Sequence, residues 1–465
     1  MVLEMLKKTI RTISGVTPLA VMLKPYPCPH GKCIYCPSQQ GVPESYTAKS
    51  PVVLRAMECN WDAYKQVEAR LKILKLMGHI TNKIELIVMG GTFSSYPMQY
   101  QEDFIKGCFD GLNGFVASNL EEAHKFNETA WHRCVGLCLE TRPDVCKKQD
   151  IDNFLRFGAT RVEIGVQAPD DNIYKLTNRG HTLADVINAT ALLKDAAFKI
   201  GYHIMLGLPG STPKKDVSMI KQIFSDERFQ PDQIKLYPTF VIKGTPLEEM
   251  YKKGEYTPYT TEQIISILAK IKSIIPPHVR IMRIMRDIPA EYIVSQCKYS
   301  HLRDELKTYM KKAGINCRCI RCREIGHAEH QGREIDIKAI QLKIKEYMAS
   351  GGKEVFLSFE DTTNDILLSI ARLRFPGSAV FRREIDQDTA LIRELHTFGR
   401  EAKIGTVPSN SWQHKGFGRA LMAEAEEIAK KNGYKKMIVI SAVGTREYFR
   451  KLDYKNDGPY MGKMI

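Results

Sequence analysis

Between residues 16 and 240 the chain alternates short apolar runs with stretches whose apolar residues recur every three or four positions. The runs Thr17–Leu23, Lys83–Met89, Arg133–Leu139, Arg161–Val166, Lys199–Leu206 and Gln233–Tyr237 predict strands. From Asp62 to Met77, the residues Tyr64, Val67, Leu71 and Leu74 share one helical face, and Leu183–Ala196 predicts a second clear helix. Six β-then-α units predict a parallel sheet with crossover helices. The expected form is an α/β, open (β/α)6 barrel with its site at the C-terminal strand ends. Those ends are polar or glycine-rich: Gly90-Gly91-Thr92, Glu140-Thr-Arg-Pro-Asp144, Glu163-Ile-Gly-Val-Gln167 and Leu206-Gly-Leu-Pro-Gly-Ser211. A glycine pair lets a ligand approach the backbone closely, so Gly90, Gly91, Thr92, Glu140 and Gln167 are candidate ligand contacts.

The pattern changes in the last 110 or so residues. Runs at Lys353–Glu360, Ile366–Arg374 and Ala390–Phe398 predict antiparallel strands joined by short polar turns. Gln413-His-Lys-Gly416-Phe-Gly418-Arg-Ala420 then opens a long helix through Lys431. Glycines at a helix N-terminus present backbone N–H groups to a pyrophosphate. Strand Met437–Ser441 and a helix containing Tyr448 follow. This order resembles the GCN5-related acetyltransferases, which bind the pyrophosphate of coenzyme A at this turn.

Two cysteine groups carry candidate metal chemistry. Cys28, Cys33 and Cys36 have the spacing C-x(4)-C-x(2)-C with no fourth cysteine nearby. Three thiolates can hold three irons of a [4Fe–4S] cluster and leave the fourth iron open. An open iron can bind S-adenosylmethionine (SAM), which one electron cleaves to a 5′-deoxyadenosyl radical; the polar strand ends are then candidate SAM contacts. A zinc knuckle closed by His30 is the alternative. Further along, Cys317, Cys319 and Cys322 precede His327, which would complete a tetrahedral zinc site. Cys297, His301 and His330 are rival fourth ligands, and a second iron–sulfur cluster is the alternative. The isolated Cys59, Cys108, Cys134, Cys138 and Cys146 read as small buried hydrophobes.

Charge narrows the partner. The net charge is +15, and residues 276–330 hold 11 Lys and Arg against 6 Asp and Glu. A local excess points to an acidic partner such as nucleic acid. Arg280, Arg283 and Arg286 recur every third residue among apolar ones, as candidate RNA contacts; a strand with arginines paired to nearby acids is the alternative. No apolar run is long enough for a membrane span, and residues 1–15 do not read as a secretory signal. Cysteines at metal-like spacings favour a reducing cytoplasm.

With these motifs in this order, the chain resembles the catalytic third subunit of Elongator in its stand-alone archaeal form. Arg11-Thr-Ile-Ser-Gly-Val16, the three-cysteine loop, Val88-Met-Gly-Gly-Thr-Phe93, Thr177-Asn-Arg-Gly-His181, Arg286-Asp-Ile-Pro289, Arg393-Glu-Leu-His396 and Gly458-Pro-Tyr-Met461 carry the resemblance almost end to end. It implies a radical-SAM domain at 1–275, a zinc-binding bridge at 276–345 and an α+β acetyltransferase domain at 346–465. It implies an activity, formation of 5-carboxymethyluridine at the tRNA wobble position from acetyl-CoA and SAM. A lysine acetyltransferase with the barrel as scaffold is the alternative. By the same resemblance, Lys83 contacts acetyl-CoA from the barrel side. Glu394, Leu395, His396 and Thr397 pair with the pantetheine arm, and Phe417, Gly418, Arg419 and Ala420 form the pyrophosphate turn. Tyr448 and Phe449 stand near the thioester, where the family often has two tyrosines. Ser38-Gln39 replaces the family's glycine pair, and Asp453 stands where glycine is usual. Relatives carry a longer basic segment upstream. An electron donor and a possible homodimer complete the expected partners.

Overall fold

The computed structural model describes residues 9–295, 302–406 and 411–465. Cys297 and His301, two of the rival zinc ligands, lie outside them.

Two seven-stranded sheets organise the chain. The first contains β1 (Thr17–Met22), β2 (Lys83–Met89), β3 (Arg133–Thr141), β4 (Arg161–Gln167), β5 (Lys199–Leu206), β6 (Gln233–Pro238) and β7 (Arg280–Arg283). All pair in parallel and in chain order, so β1 and β7 are the open edges of a half-barrel. The alternation in β2 shows how the wall is built. Ile84, Leu86 and Val88 are buried against the outer helices, while the alternate residues Lys83 and Glu85 take the other face. The outer helices begin at side-chain caps. Asp62 accepts from Lys65 N–H, Thr182 and Asp185 form a capping box, and so do Thr260 and Gln263.

The barrel has one more strand than the six its sequence pattern predicts. β7 is only four residues long and its two apolar residues lie between arginines, so its pattern reads as a basic surface. It falls within the stretch expected to form the bridge.

The second sheet holds β8 (Ile340–Ala349), β9 (Gly352–Asp361), β10 (Ile366–Phe375), β11 (Thr389–Thr397), β12 (Lys436–Val439), β13 (Lys455–Asp457) and β14 (Tyr460–Met464). Its order is β13-β14-β12-β11-β10-β9-β8, and only β11 and β12 run parallel. Helix Phe417–Lys431 buries Leu421, Met422, Ala425, Ile428 and Ala429 against Val355, Leu357 and Leu373.

Ion pairs lock the two sheets together. Arg393 of β11 is buried and donates to both oxygens of Asp232 (2.7 and 2.8 Å), to Glu354 (2.8 Å) and to Phe198 O (2.7 Å). Arg374 of β10 bonds Asp195 and Glu354. Charges this deeply buried hold only when fully paired, as these are.

Candidate active site

The loop after β1 carries Cys28, Cys33 and Cys36 onto a cavity of about 530 Å³ at the C-terminal strand ends. The segment Thr177–His181 pins the loop. Ile34 N–H donates to Thr177 O, and Asn178 Nδ2 to Lys32 O. Gly180 has φ +71°, and a Cβ there would lie 2.7 Å from His30 Cβ, so only glycine allows the contact. Arg179 Nη1 donates to Cys33 Sγ at 3.5 Å and Ser45 Oγ lies 3.3 Å from Cys36 Sγ. Burial pushes the Cys36 thiol up to about 11, and the Ser45 hydrogen bond opposes it.

The donor set suits a cluster better than one ion. Among the described residues, Cys28, Cys33 and Cys36 are not drawn within 4.8 Å of one another, whereas Cys317, Cys319 and Cys322 are. His30 Nε2 lies 3.0 Å from Arg142 Nη1. Burial and the arginines Arg142 and Arg179 push its pKa down to about 4. The same nitrogen lies 3.3 Å from Cys33 Sγ, and a lone pair that also faces a guanidinium is a poor zinc ligand.

Of the strand-end candidates, Gly91, Thr92, Glu140 and Gln167 line this cavity. Gly90 packs beneath it, where a Cβ would lie 2.9 Å from Leu23 Cβ. Gln167 holds φ +66°, a conformation a non-glycine residue adopts at a cost and often at functional sites.

The lumen below carries charges that strand prediction does not identify. Glu163 accepts from His203 Nε2 at 2.8 Å and pairs with Lys235, which also lies 3.5 Å from Glu140. Tyr46 OH donates to Glu140 at 3.3 Å. Glu140, Glu163 and His203 are close enough to hold an ion, but the Lys235 ammonium already supplies the positive charge between the two carboxylates. Lower down, Arg161 pairs with Glu85 and lies 3.6 Å from Glu163. Gly136 and Gly201 leave room for this ladder; a Cβ on Gly201 would lie 3.1 Å from Glu163 Cγ. The legible signal was charge at alternate positions of otherwise apolar strands.

A second cavity, about 660 Å³, lies at the opposite end of the barrel against the second sheet. Arg161 lines both cavities. Strands β11 and β12 pair only as far as Ile392 and Val439, with one further bond from Ile440 N–H to Ile392 O. Beyond that point Glu394–Thr397 line the cavity on one side and Ile440 on the other. The strands splay, leaving a backbone edge that an extended ligand can join. Gly416, at φ +91°, turns the chain into helix Phe417–Lys431, and Phe417, Gly418 and Arg419 face the same space. Ala420 follows in that first turn and does not line it. Tyr448 is half exposed there, and a Cβ on Gly418 would lie 2.9 Å from its hydroxyl. Phe449 also lines the cavity, though most of its ring is buried in the core beneath the helix.

Several candidates prove to be engaged by the fold. Gln413 accepts from Lys83 Nζ (2.8 Å) and Ala402 N–H (3.1 Å), and donates to Gly15 O and Thr397 O. Its amide is fully used in joining the two sheets. His396 Nε2 bonds Ser14 O, and the Glu394 carboxylate pairs with Arg372 and Lys199, so the backbone of β11 is what remains for a ligand. Burial pushes Lys83 down to about 8, against a smaller opposing effect of Glu401.

Two expectations are corrected. Arg280 is buried, and its guanidinium binds Glu324 and Ser14; phosphate cannot reach it, because it ties β7 to the cysteine segment. Arg283 is paired with Asp287, and Arg286 donates to Ser45 O; both line the cluster cavity. His327 does not join Cys317, Cys319 and Cys322; its Nε2 lies 3.1 Å from Glu324 Oε1. Instead Lys272 Nζ donates to Cys322 Sγ at 3.4 Å. Cys108, Cys134, Cys138 and Cys146 are buried as expected, and Cys59 is half-buried.

Comparison with known proteins agrees with this arrangement. Residues 24–223 match the radical SAM superfamily and 231–312 the radical SAM C-terminal domain. Human Elongator complex protein 3 is 40% identical over 98% of this chain and 86% of its own length. The tRNA uridine(34) acetyltransferase of Methanocaldococcus jannaschii is 52% identical over 99% of this chain and 86% of its own. The chain belongs to the Elongator complex protein 3 family. A solved structure of the family, Methanocaldococcus infernus Elp3 lacking its N-terminal segment, superposes with TM-score 0.87 at 48% identity, covering 98% of this chain and all of that one. Membership of the radical SAM superfamily implies a [4Fe–4S] cluster and SAM, and the three cysteines of the pinned loop fit them. Among the described residues no helix is long and apolar enough to cross a membrane.

Proposed function

We propose that this chain modifies the wobble uridine of tRNA, using acetyl-CoA and SAM to form 5-carboxymethyluridine. The observation that carries the reading is the pair of cavities at opposite ends of one half-barrel, with Arg161 as their common wall. A lysine acetyltransferase would leave the cysteine cavity and the charged lumen without a role.

Cys28, Cys33 and Cys36 would hold the cluster, with Gly91, Thr92, Glu140 and Gln167 around SAM. Bound there, cluster and SAM supply one-electron chemistry at an unactivated methyl group. The chain's own residues bind and orient. Arg179 and Ser45 hold the sulfurs of Cys33 and Cys36 in place. The open edge of Glu394–Thr397 receives the pantetheine arm, and the turn Gly416–Ala420 receives the pyrophosphate. Lys83 supplies a cation to the cofactor, and the Tyr448 hydroxyl stands beside the turn as a donor for the thioester. The carbon–carbon bond at C5 of uridine would replace one C–H bond of the acetyl methyl, whose hydrogen passes to the 5′-deoxyadenosyl group, and the C5–H bond, whose hydrogen leaves as a proton while one electron returns to the redox partner. Water then releases CoA as the acid forms. Cys317, Cys319 and Cys322 hold a structural zinc whose fourth ligand lies elsewhere than His327. The second sheet and its helix form a GCN5-related acetyltransferase domain.

The test is anaerobic incubation of reconstituted protein with SAM, reductant, acetyl-CoA and tRNA, followed by nucleoside mass spectrometry. The reading requires 5-carboxymethyluridine. Acetyl-lysine on a protein substrate with unmodified tRNA would support the scaffold alternative.

A further inference from the structure

Three arginines from three separate segments meet at the wall of the cluster cavity. Arg11 comes from the turn before β1, Arg55 from helix Pro51–Glu58 and Arg70 from helix Ala63–Leu76. All are half-buried. Among the described residues none of the three makes a hydrogen bond or ion pair, and Arg11 Nη1 is buried with no partner at all. Glu58 acts on Arg55 without forming a pair. Burial, followed by repulsion from Arg11 and Arg55, pushes Arg70 down to about 10.

Gathering like charges out of water opposes folding. Elsewhere in the chain, Arg393 and Arg374 are each paired with buried carboxylates. An unpaired triad is therefore a site prepared for an anion. Its position indicates which one. The half-barrel is open between β1 and β7. The triad lines the cavity from the β1 side, while Arg286, bonded to Ser45 O, and Arg283, paired with Asp287, line it from the β7 end. A strand carrying several phosphates fits this spread of cations better than a single small anion does.

We infer that Arg11, Arg55 and Arg70 form a phosphate-backbone site that holds the RNA strand flanking the reacting base at the lateral opening of the barrel. This inference rests on the tRNA reading given above.

The experiment is tRNA binding by fluorescence anisotropy over a salt series, with thermal unfolding measured without RNA. The proteins are the parent, Arg55→Gln, Arg70→Gln, the double variant and Arg70→Lys. The slope of log affinity against log salt should fall by about 0.7–0.9 for each arginine neutralised. Arg70→Lys should keep most of the slope. Unfolding midpoints should hold or rise, because a like charge is removed; a paired structural arginine would lower them. Parent binding with slopes unchanged in the Gln variants would overturn the site alone. Slopes unchanged with lowered midpoints would overturn it in favour of a structural role. Failure of the parent to bind tRNA would overturn the functional reading and this site with it.

Discussion

Lys83 and Gln413 stand 330 residues apart and are joined by a 2.8 Å hydrogen bond. The same Gln413 amide reaches Gly15, Thr397 and Ala402, so one side chain fastens the first sheet, the end of β11 and the turn before helix Phe417–Lys431. The second cavity exists only while these parts are docked. Gln413→Ala removes four hydrogen bonds, two of them buried, and leaves Ala402 N–H and Gly15 O without this partner, which should cost about 1–3 kcal/mol. It should also weaken acetyl-CoA binding, measured by calorimetry. Unchanged unfolding and affinity would show that the clamp is unimportant.

Lys83 titrates within reach of ordinary buffers, because burial pushes it down to about 8. It is a cation below that pH and neutral above it. Affinity for the polyanionic acetyl-CoA should therefore fall as pH rises through about 8, and Lys83→Met should be weaker and flat across that range. A parent protein with no pH dependence there would remove Lys83 from the cofactor site.

The sheet interface should be acid-sensitive. Burial alone would raise the Glu354 pKa, but Arg393, Lys194 and Arg374 more than offset it and hold it at about 2. Asp232 is likewise held well below its ordinary range, burial being outweighed by Arg393, Lys194 and Arg372. Depressed carboxyls contribute their stabilisation fully above about pH 4, the unfolded value, and lose it as pH falls through the folded one. Denaturant unfolding should show stability falling from pH 4 towards 2. Arg393→Met, which leaves both carboxylates buried with less counter-charge, should cost about 3–5 kcal/mol at neutral pH.

The two cysteine groups should separate in metal analysis. Cys33→Ser should lose iron and 5′-deoxyadenosine formation while keeping zinc and acetyl-CoA binding. Cys317→Ser should lose zinc and lower the unfolding midpoint. A purified parent containing iron alone would contradict the zinc assignment.

The sequence pattern showed the long apolar strands, the capped helices and the cysteine loop directly, because each carries a local signal. It offered β7 only as the alternative to a basic surface, a strand with arginines paired to acids, and Arg280 does pair with Glu324, 44 residues away. Edge strand β8 alternates apolar and polar residues, yet it crosses the expected boundary at residue 345. Gln413 lay in the right motif and lines the second cavity, but the hydrogen bonds it makes were not legible, because its partners are distant in the chain. The lumen ladder of Glu85, Arg161, Glu163 and Lys235 was visible only as charges spaced two apart. Their meaning depends on barrel closure, a non-local event. Asp453 is legible in hindsight: at φ +68° it occupies the left-handed conformation that explains the glycine usual there.

The central claim is that both cavities serve one reaction on one acetyl group. The direct measurement is turnover with acetyl-CoA trideuterated at the methyl carbon, SAM, reductant and tRNA, with both products analysed by mass spectrometry. The account predicts one deuterium in 5′-deoxyadenosine and two in the carboxymethyl group of uridine. Carboxymethyluridine that retains its two deuteriums alongside unlabelled 5′-deoxyadenosine would contradict it.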